Sequence, residues 1–325
     1  MKAIRVDDAG ASYRLTVTEL PRPVPGQGEV LVKVAAAGLN RADLAQAMGR
    51  YPPPPGAPDT LGLEVSGEIV ALGADVAGLQ IGQSVCALLA GGGYAEFAVA
   101  SQACVLPVPR PVGLTEAAAL PEVHFTVWTN LMDAAQLKRG ESVLIHGGSS
   151  GIGTAAIQLC AARGNPVFAT AGSDDKCRAC ERLGAAKAFN YRNVDFVEAV
   201  KQATADKGVD VILDMVGGDY IERNFRTLAR GGRLVNIAFQ GGMSANVNFG
   251  LMMMKRLTFM ATTLRGRSNE EKGAIRDALL REVWPLVAAG RIKPVIDQVF
   301  PYTEAQSAHA RMAESAHIGK ILLAF

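Results

Sequence analysis

Val143-Leu144-Ile145-His146-Gly147-Gly148-Ser149-Ser150-Gly151-Ile152-Gly153-Thr154-Ala155-Ala156 is a short apolar run that passes through paired glycines into a stretch of small, helix-compatible residues. A strand, a turn almost without side chains and a helix start form the opening of a βαβ unit. Such a turn lets the backbone approach a diphosphate, while the N–H groups and dipole of the helix start favour negative charge. Gly148, Ser149, Ser150, Gly151 and Ile152 are therefore candidate pyrophosphate ligands. A Gly-rich turn also serves tight strand-to-helix packing, so the flanking pattern has to decide.

That pattern repeats outward. Apolar runs at 142–146, 166–171, 187–191, 209–215, 232–239 and 257–261 are separated by helical stretches such as 151–163, 174–183 and 195–205. Successive βαβ units of this kind build a doubly wound parallel sheet, expected over 122–262. Upstream, 29–37, 63–73, 84–89 and 94–99 are short β segments separated by glycines, and Thr115 reads as the N-cap of a short helix. The pattern changes at about Pro121. From about Thr263 it is mixed again and ends in a strand at 319–323 that rejoins the first region. The expected α/β fold thus has a mainly β domain, 1–121 with 263–325, and a doubly wound domain, 122–262.

Composition agrees with this and excludes several classes. A chain of 325 residues suits two domains that each bury a core. With 49% hydrophobic and 20% charged residues and no polar low-complexity stretch, order is expected throughout. The net charge of +2 comes from interspersed Lys and Arg, leaving no basic block for nucleic acid or lipid. The start, Met1-Lys2-Ala3-Ile4-Arg5-Val6-Asp7-Asp8, lacks an apolar signal core, and no run of roughly 18 apolar residues offers a membrane span. Five cysteines, an odd number, argue against a disulfide framework, so a cytoplasmic, reducing setting is expected.

The GGSSGIG lettering departs from the strict G-x-G-x-x-G order and is shared with short-chain dehydrogenases. Those need a Tyr-x-x-x-Lys pair for proton transfer. None of Tyr13, Tyr51, Tyr94, Tyr191, Tyr220 or Tyr302 has a lysine four positions on, and the loop lies mid-chain, which removes that alternative. Cofactor choice is read past the second strand, where NAD sites place an acidic residue about 20 residues on. Here the strand ends in Gly172-Ser173: Ser173 can donate to a 2′-phosphate and Lys176 can neutralise it. Asp174 and Asp175 are either helix-start charges or ribose ligands. NADPH is the expected cofactor, ahead of NADH.

Taken together, GLNRADL at 38–44, YPPPP at 51–55, LGLEVSG at 61–67, the glycine loop, AGS at 171–173 and FNY at 189–191 resemble the zinc-independent quinone oxidoreductases of the medium-chain dehydrogenase/reductase superfamily. The resemblance covers the whole chain. It looks closest to the zeta-crystallin-like branch, and there to the tumour-suppressor-inducible subgroup. It implies a GroES-like β domain, a Rossmann domain and an active site in the cleft. It also implies that Asn40 and Thr126 touch the nicotinamide side of the cofactor, and that Tyr51 orients the acceptor or passes it a proton. Tyr191 would pack beside the adenosine phosphate with Lys176, Phe239 and Leu264 would wall the nicotinamide from water, and Lys320 would reach the cofactor from the closing strand. Asp43 is either a partner of Asn40 or a helix-start carboxylate. Where zinc-dependent relatives carry a cysteine and the histidine of a G-H-E motif, this chain has Asn40 and Gly62-Leu63-Glu64, and no lobe of four close cysteines exists for structural zinc. Metal-free reduction of quinones or other conjugated carbonyls follows, with an NADPH-dependent enoyl reductase acting on alkenals or acyl thioesters as the alternative. A non-catalytic NADPH-binding protein with RNA or protein contacts is the alternative from another class.

Other features suggest less. Cys177 and Cys180 have the spacing of a redox pair at a helix start, where the dipole lowers a thiol pKa, but no second such pair completes a zinc site. His124, His146, His309 and His317 show no ligand spacing. The Leu251-Met252-Met253-Met254 cluster reads as core or a subunit edge, and an edge strand near Leu257 predicts a homodimer, with a tetramer as the alternative.

Overall fold

In the computed structural model, which describes residues 1–325, the chain forms two compact units: Met1–Phe125 with Arg265–Phe325, and Thr126–Leu264. The change of unit falls inside a helix and not before Pro121. Residues Glu122 to His124 pack within the first unit, where the Glu122 N–H donates to Glu64 (2.9 Å) and His124 meets Trp284 edge-on.

In the first unit, β1 (Lys2–Asp7) and β2 (Arg14–Glu19) pair as an antiparallel ribbon. β3 (Glu29–Gly38), rich in Val and Ala and buried along most of its length, is followed at once by the short helix α1 (Arg41–Ala47). β4 (Glu64–Leu72), β5 (Ser84–Leu88), β6 (Phe97–Ser101) and β7 (Val105–Pro107) complete the first segment. β6 starts later than the expected 94–99. Tyr94 is fully buried with its N–H on the Leu61 carbonyl, and Ala95 bridges to Ala3 of β1.

α2 (Pro121–Val127) leads into the second unit. Its strands and helices alternate: β8 (Val143–Ile145), α3 (Gly151–Ala162), β9 (Val167–Ala171), α4 (Asp174–Arg182), β10 (Lys187–Asn190), α5 (Phe196–Ala203), β11 (Val209–Asp214), α6 (Tyr220–Thr227), β12 (Leu228–Asn236), α7 (Phe249–Lys255) and β13 (Thr258–Ala261). All pairings are parallel, in the order β10-β9-β8-β11-β12-β13. This is the doubly wound Rossmann order, with its switch point between β8 and β11. α3 is buried on nearly every side because Gly, Ala and Thr let it lie close to the sheet. β12 starts earlier and stops earlier than the expected 232–239. It bulges between its pairings with Val209 and Val211, and ends where the Asn236 amide turns to Asp214 (3.1 Å).

The tail adds α8 (Asn269–Glu282), α9 (Trp284–Ala288), β14 (Ile296–Pro301), α10 (Ala305–Ala313) and β15 (Lys320–Ala324). β15 pairs antiparallel with β3, so the tail completes a seven-stranded sheet of the first unit, a GroES-like β domain. Val30, Val32, Val65, Ile69, Val85 and Leu323 lie in its core. No helix is long and apolar enough to cross a membrane.

Candidate functional site

The glycine turn leaves β8 at the switch point, where doubly wound sheets hold their ligands. Ser150 caps α3, its Oγ accepting from the Gly153 N–H at 3.0 Å. The Gly148 and Ser150 amides donate to the Thr170 and Gly147 carbonyls, both at 2.9 Å. The amides of Gly151 and Ile152, first in the helix, have no acceptor in the chain. Gly148 is closely packed. A Cβ there would lie 2.7 Å from Ala169 Cβ and 2.9 Å from Cys180 Sγ, so its bareness serves the packing of β9 and α4. Ser149 is buried as well.

At the end of β9, Ser173 caps α4 by accepting from the Lys176 N–H (3.3 Å). The two aspartates that follow have protein partners. Asp174 accepts from Asn190 Nδ2 at 2.7 Å and Asp175 pairs with Arg178, both in the first turn of α4. Tyr191 is half-exposed and lies over Gly172, its hydroxyl 2.8 Å from where a Cβ would stand, so a side chain at 172 would displace the ring. Arg192 Nε comes within 3.7 Å of the same point. The sequence reading passed over Arg192. Its signal was a basic residue directly after FNY.

Deeper in this unit, Asp214 at the end of β11 accepts from the amides of Val216 (2.6 Å) and Gly217 (3.2 Å) and from the side chains of Asn224 and Asn236 (both 3.1 Å). His146 bridges Thr170 and Asn224 at 2.9 and 2.7 Å, and burial lowers its pKa. This network ties the carboxyl ends of four neighbouring strands. Phe239 stands half-exposed beyond β12, whereas Thr126 and Leu264 are buried. The Thr126 carbonyl accepts from Asn130 Nδ2 (2.8 Å), whose Oδ1 accepts from the Thr262 hydroxyl (2.6 Å).

In the first unit, Asn40 closes β3 and opens α1. Its N–H donates to Asp43 Oδ2 (2.7 Å), and Asp43 Oδ1 accepts from the Gly62 N–H (3.0 Å), so Asp43 both caps the helix and ties it to the 61–63 segment. Burial raises the Asp43 pKa to about 6 against the lowering effect of those two N–H groups. Asn40 Nδ2 donates to Glu64 Oε1 at 3.0 Å, and Asn40 Oδ1 accepts from Lys320 Nζ at 2.8 Å. Lys320 also bonds the Leu39 carbonyl and pairs with Glu64 at 2.6 Å, their side chains 5% and 0% exposed. The lysine expected to reach for the cofactor is therefore bound into the mount of Asn40. Glu64, read in the sequence only as the end of a changed motif, is the centre of that mount.

Tyr51, half-buried, has the Arg265 guanidinium 5.2 Å from its ring centroid. Burial raises the phenol pKa, while the nearby guanidinium works the other way. Arg265 is held by the Ala90 carbonyl and by Gln46 Oε1, both at 2.8 Å. Asn40 caps α1 and Gln46 lies in its last turn, so this helix supports both groups; at ~1.5 Å per residue they stand about 9 Å apart along it.

The other sequence features lie outside these arrangements. Cys177 and Cys180 are buried, and burial raises both thiols, Cys180 to about 12. Of the 251–254 cluster, Leu251 and Met252 pack against the core of the second unit, while Met253 and Met254 are exposed. Thr115 precedes a single 3₁₀ turn, without a side-chain cap. No group of three or more His, Cys, Asp or Glu side chains is arranged as a metal ligand set.

A GroES-like β domain and a Rossmann domain with a glycine turn at its switch point define a two-domain dehydrogenase architecture. Residues 26–110 match the alcohol dehydrogenase GroES-like domain family, and residues 183–323 match the family described as zinc-binding dehydrogenase. The chain is 32% identical to the quinone oxidoreductase of Mus musculus over 99% of its length and 97% of the relative's, and 31% identical to that of Homo sapiens over the same shares. Among solved structures it is similar to Escherichia coli quinone oxidoreductase complexed with NADPH, with TM-score 0.87 and 29% identity over 100% of this chain and 99% of that one. It is equally similar to CurK enoyl reductase, with TM-score 0.87 and 29% identity over 99% and 98% of the two chains. The chain belongs to the medium-chain dehydrogenase/reductase superfamily and is an oxidoreductase of that type.

Proposed function

We propose that the protein reduces quinones by hydride transfer from NADPH without a catalytic metal. The observation that carries this reading is the chemistry of the Asn40 mount. Where zinc-dependent relatives place a thiolate and an imidazole, this chain has an amide and Leu63, and the amide is already engaged by a carboxylate and an ammonium. Such a set suits orientation of a neutral group, not coordination of a cation. Quinones need little Lewis-acid help, so positioning in a dry site suffices.

The glycine turn fits a dinucleotide: the Gly151 and Ile152 amides at the start of a 12-residue helix have no acceptor in the chain. When bound, the reduced nicotinamide supplies the hydride. Ser173, Lys176 and Arg192 are proposed to hold the 2′-phosphate, with Tyr191 beside it and Gly172 leaving room for that ring. Asn40 and Thr126 are assigned to the nicotinamide, Phe239 and Leu264 to excluding water, and Tyr51 to orienting the acceptor oxygen. Lys320 acts through Asn40. The edge strand β13, with exposed Phe249, Met253, Met254 and Phe259, supports a homodimer, and five free cysteines suit a reducing, cytoplasmic setting; light scattering of Phe259→Lys against the parent checks the assembly.

A second reading, NADPH-dependent enoyl reduction, is favoured by the likeness to CurK enoyl reductase. The deciding experiment follows NADPH absorbance with metal-stripped protein, offering naphthoquinones, benzoquinones and a short enoyl thioester, with NADH as control donor. Rapid loss with quinones and NADPH is expected. Turnover of the thioester alone would move the substrate to the second reading, and tight NADPH binding without turnover would leave a binding protein.

A further inference from the structure

Arg265 opens the second segment of the first unit with its side chain turned inward, the residue being only 8% exposed. Nε is tied to the Ala90 carbonyl and Nη2 to Gln46 Oε1, each at 2.8 Å, and the residue's own carbonyl accepts from Nζ of buried Lys272 at 2.9 Å. The backbone and two of the three guanidinium nitrogens are thus fixed. The third nitrogen, Nη1, is buried and has no hydrogen-bond partner in the chain. A buried charged donor without an acceptor is costly, and here no flexibility remains by which it could find one. The guanidinium carbon lies 5.2 Å from the centre of the Tyr51 ring, whose π face favours a cation. Four consecutive prolines, Pro52 to Pro55, follow that tyrosine and stiffen its mount.

We propose that Arg265 Nη1, together with the Tyr51 hydroxyl, receives the carbonyl oxygen of the acceptor and stabilises the negative charge that hydride addition places there. The inference deepens the function proposed above and rests on it. In the reaction a nicotinamide C–H bond breaks and the hydrogen forms a new bond to the conjugated acceptor. The displaced π electrons move onto the acceptor's oxygen, leaving the nicotinamide oxidised and the acceptor as an enolate or hydroquinone monoanion. One proton from solvent completes the product. A guanidinium held at two nitrogens points its third donor in a set direction, which an ammonium on a flexible stem does not. The acceptor class narrows accordingly to compounds whose oxygen is conjugated with the carbon or oxygen that takes the hydride.

Arg265→Ala, Arg265→Gln and Arg265→Lys should be compared with the parent for kcat on a naphthoquinone and on an α,β-unsaturated ketone, for NADPH affinity and for melting. The ketone, being the weaker electrophile, needs more help at its oxygen. In Arg265→Ala its kcat should fall ~10²–10³-fold, the range for loss of one oxyanion donor. The quinone rate should fall less, NADPH affinity should hold, and added guanidinium ion should restore part of the loss. If Arg265→Ala melts early, Gln46→Leu, which releases only one anchor, should show the same bias towards the ketone. Equal losses on both acceptors, no response to guanidinium, or a loss confined to NADPH affinity would overturn the assignment. A parent protein that reduces neither acceptor would remove the proposed function, and this inference with it.

Discussion

Replacing Lys320 by Met tests whether the Asn40 mount is a single electrostatic unit. The substitution keeps most of the side-chain volume and removes the ammonium, which bonds Asn40 Oδ1 and the Leu39 carbonyl and pairs with Glu64 at 2.6 Å. Glu64, fully buried, would keep only Asn40 Nδ2 and the Glu122 N–H as partners for its charge. Breaking a buried pair by removing one partner costs ~3–5 kcal/mol, because the other charge stays behind uncompensated. That is a large share of the ~5–15 kcal/mol that holds a typical protein folded. The double variant Lys320→Met, Glu64→Gln removes the stranded charge and should recover ~1–3 kcal/mol, the usual coupling of groups in contact. Urea unfolding followed by Trp284 fluorescence, in a Trp128→Phe background, reports on the first unit alone, since Trp284 belongs to it and Trp128 to the second. A shift below ~1 kcal/mol for Lys320→Met, the worth of a surface pair, would refute the reasoning. So would a double variant as unstable as the two single losses added together.

Lys176→Ala with Arg192→Ala should weaken NADPH binding ~10-fold or more, since a hydrogen bond to a charged group contributes ~1.5–3 kcal/mol, and should leave NADH unchanged. Calorimetry giving equal losses for both would sink the 2′-phosphate assignment. On the acid side, burial lowers His124 to about 4 and His309 to about 3 from the ordinary 6.5. The unfolded chain therefore takes up these protons first, and the stability they contribute above pH ~6.5 is lost as pH falls through the folded values. Asp43, raised to about 6, has the opposite sign: its contribution is present below its unfolded value of 3.8 and is lost as pH rises through 6. His124 Nδ1 has no partner, so His124→Phe removes a titration without removing a bond there. It should flatten the loss between pH 6.5 and 4 by up to ~3 kcal/mol, at ~1.36 kcal/mol per pH unit. Urea midpoints at pH 7 and 4.5 that fall as in the parent would contradict this.

The Rossmann unit was legible because its information is local. Each strand is a short apolar run, each helix carries its own period, and the glycine turn has to be glycine for reasons a few residues wide. The errors lie where a distant partner decides. β12 was placed late because its end is set by the Asn236–Asp214 contact, and the 121/122 junction was placed early because α2 runs through the change of unit. Asp174 meets Asn190, a partner 16 residues on that no local pattern indicates. For Cys180 the helix-start argument fails because the residue lies towards the end of α4 and is buried, which raises its thiol.

The candidate chemistry of the first unit shows the same division. Asn40 and Tyr51 stand in recognisable motifs. The groups packed against them do not: Glu64 is a glutamate in an altered motif, Lys320 belongs to a closing strand at the other end of the chain, and Arg265 is one of two arginines around a glycine. A motif records which backbone shape or ligand type a stretch needs. It does not record which charge will be buried against which. In a site without a Lewis acid that second quantity matters more, because the field at the acceptor oxygen then comes from fixed charges and donors, and these are held by side chains far apart in sequence. Loss of a metal motif is thus the point at which the sequence says least about the chemistry. There a buried donor without a partner, such as Arg265 Nη1, becomes the better guide.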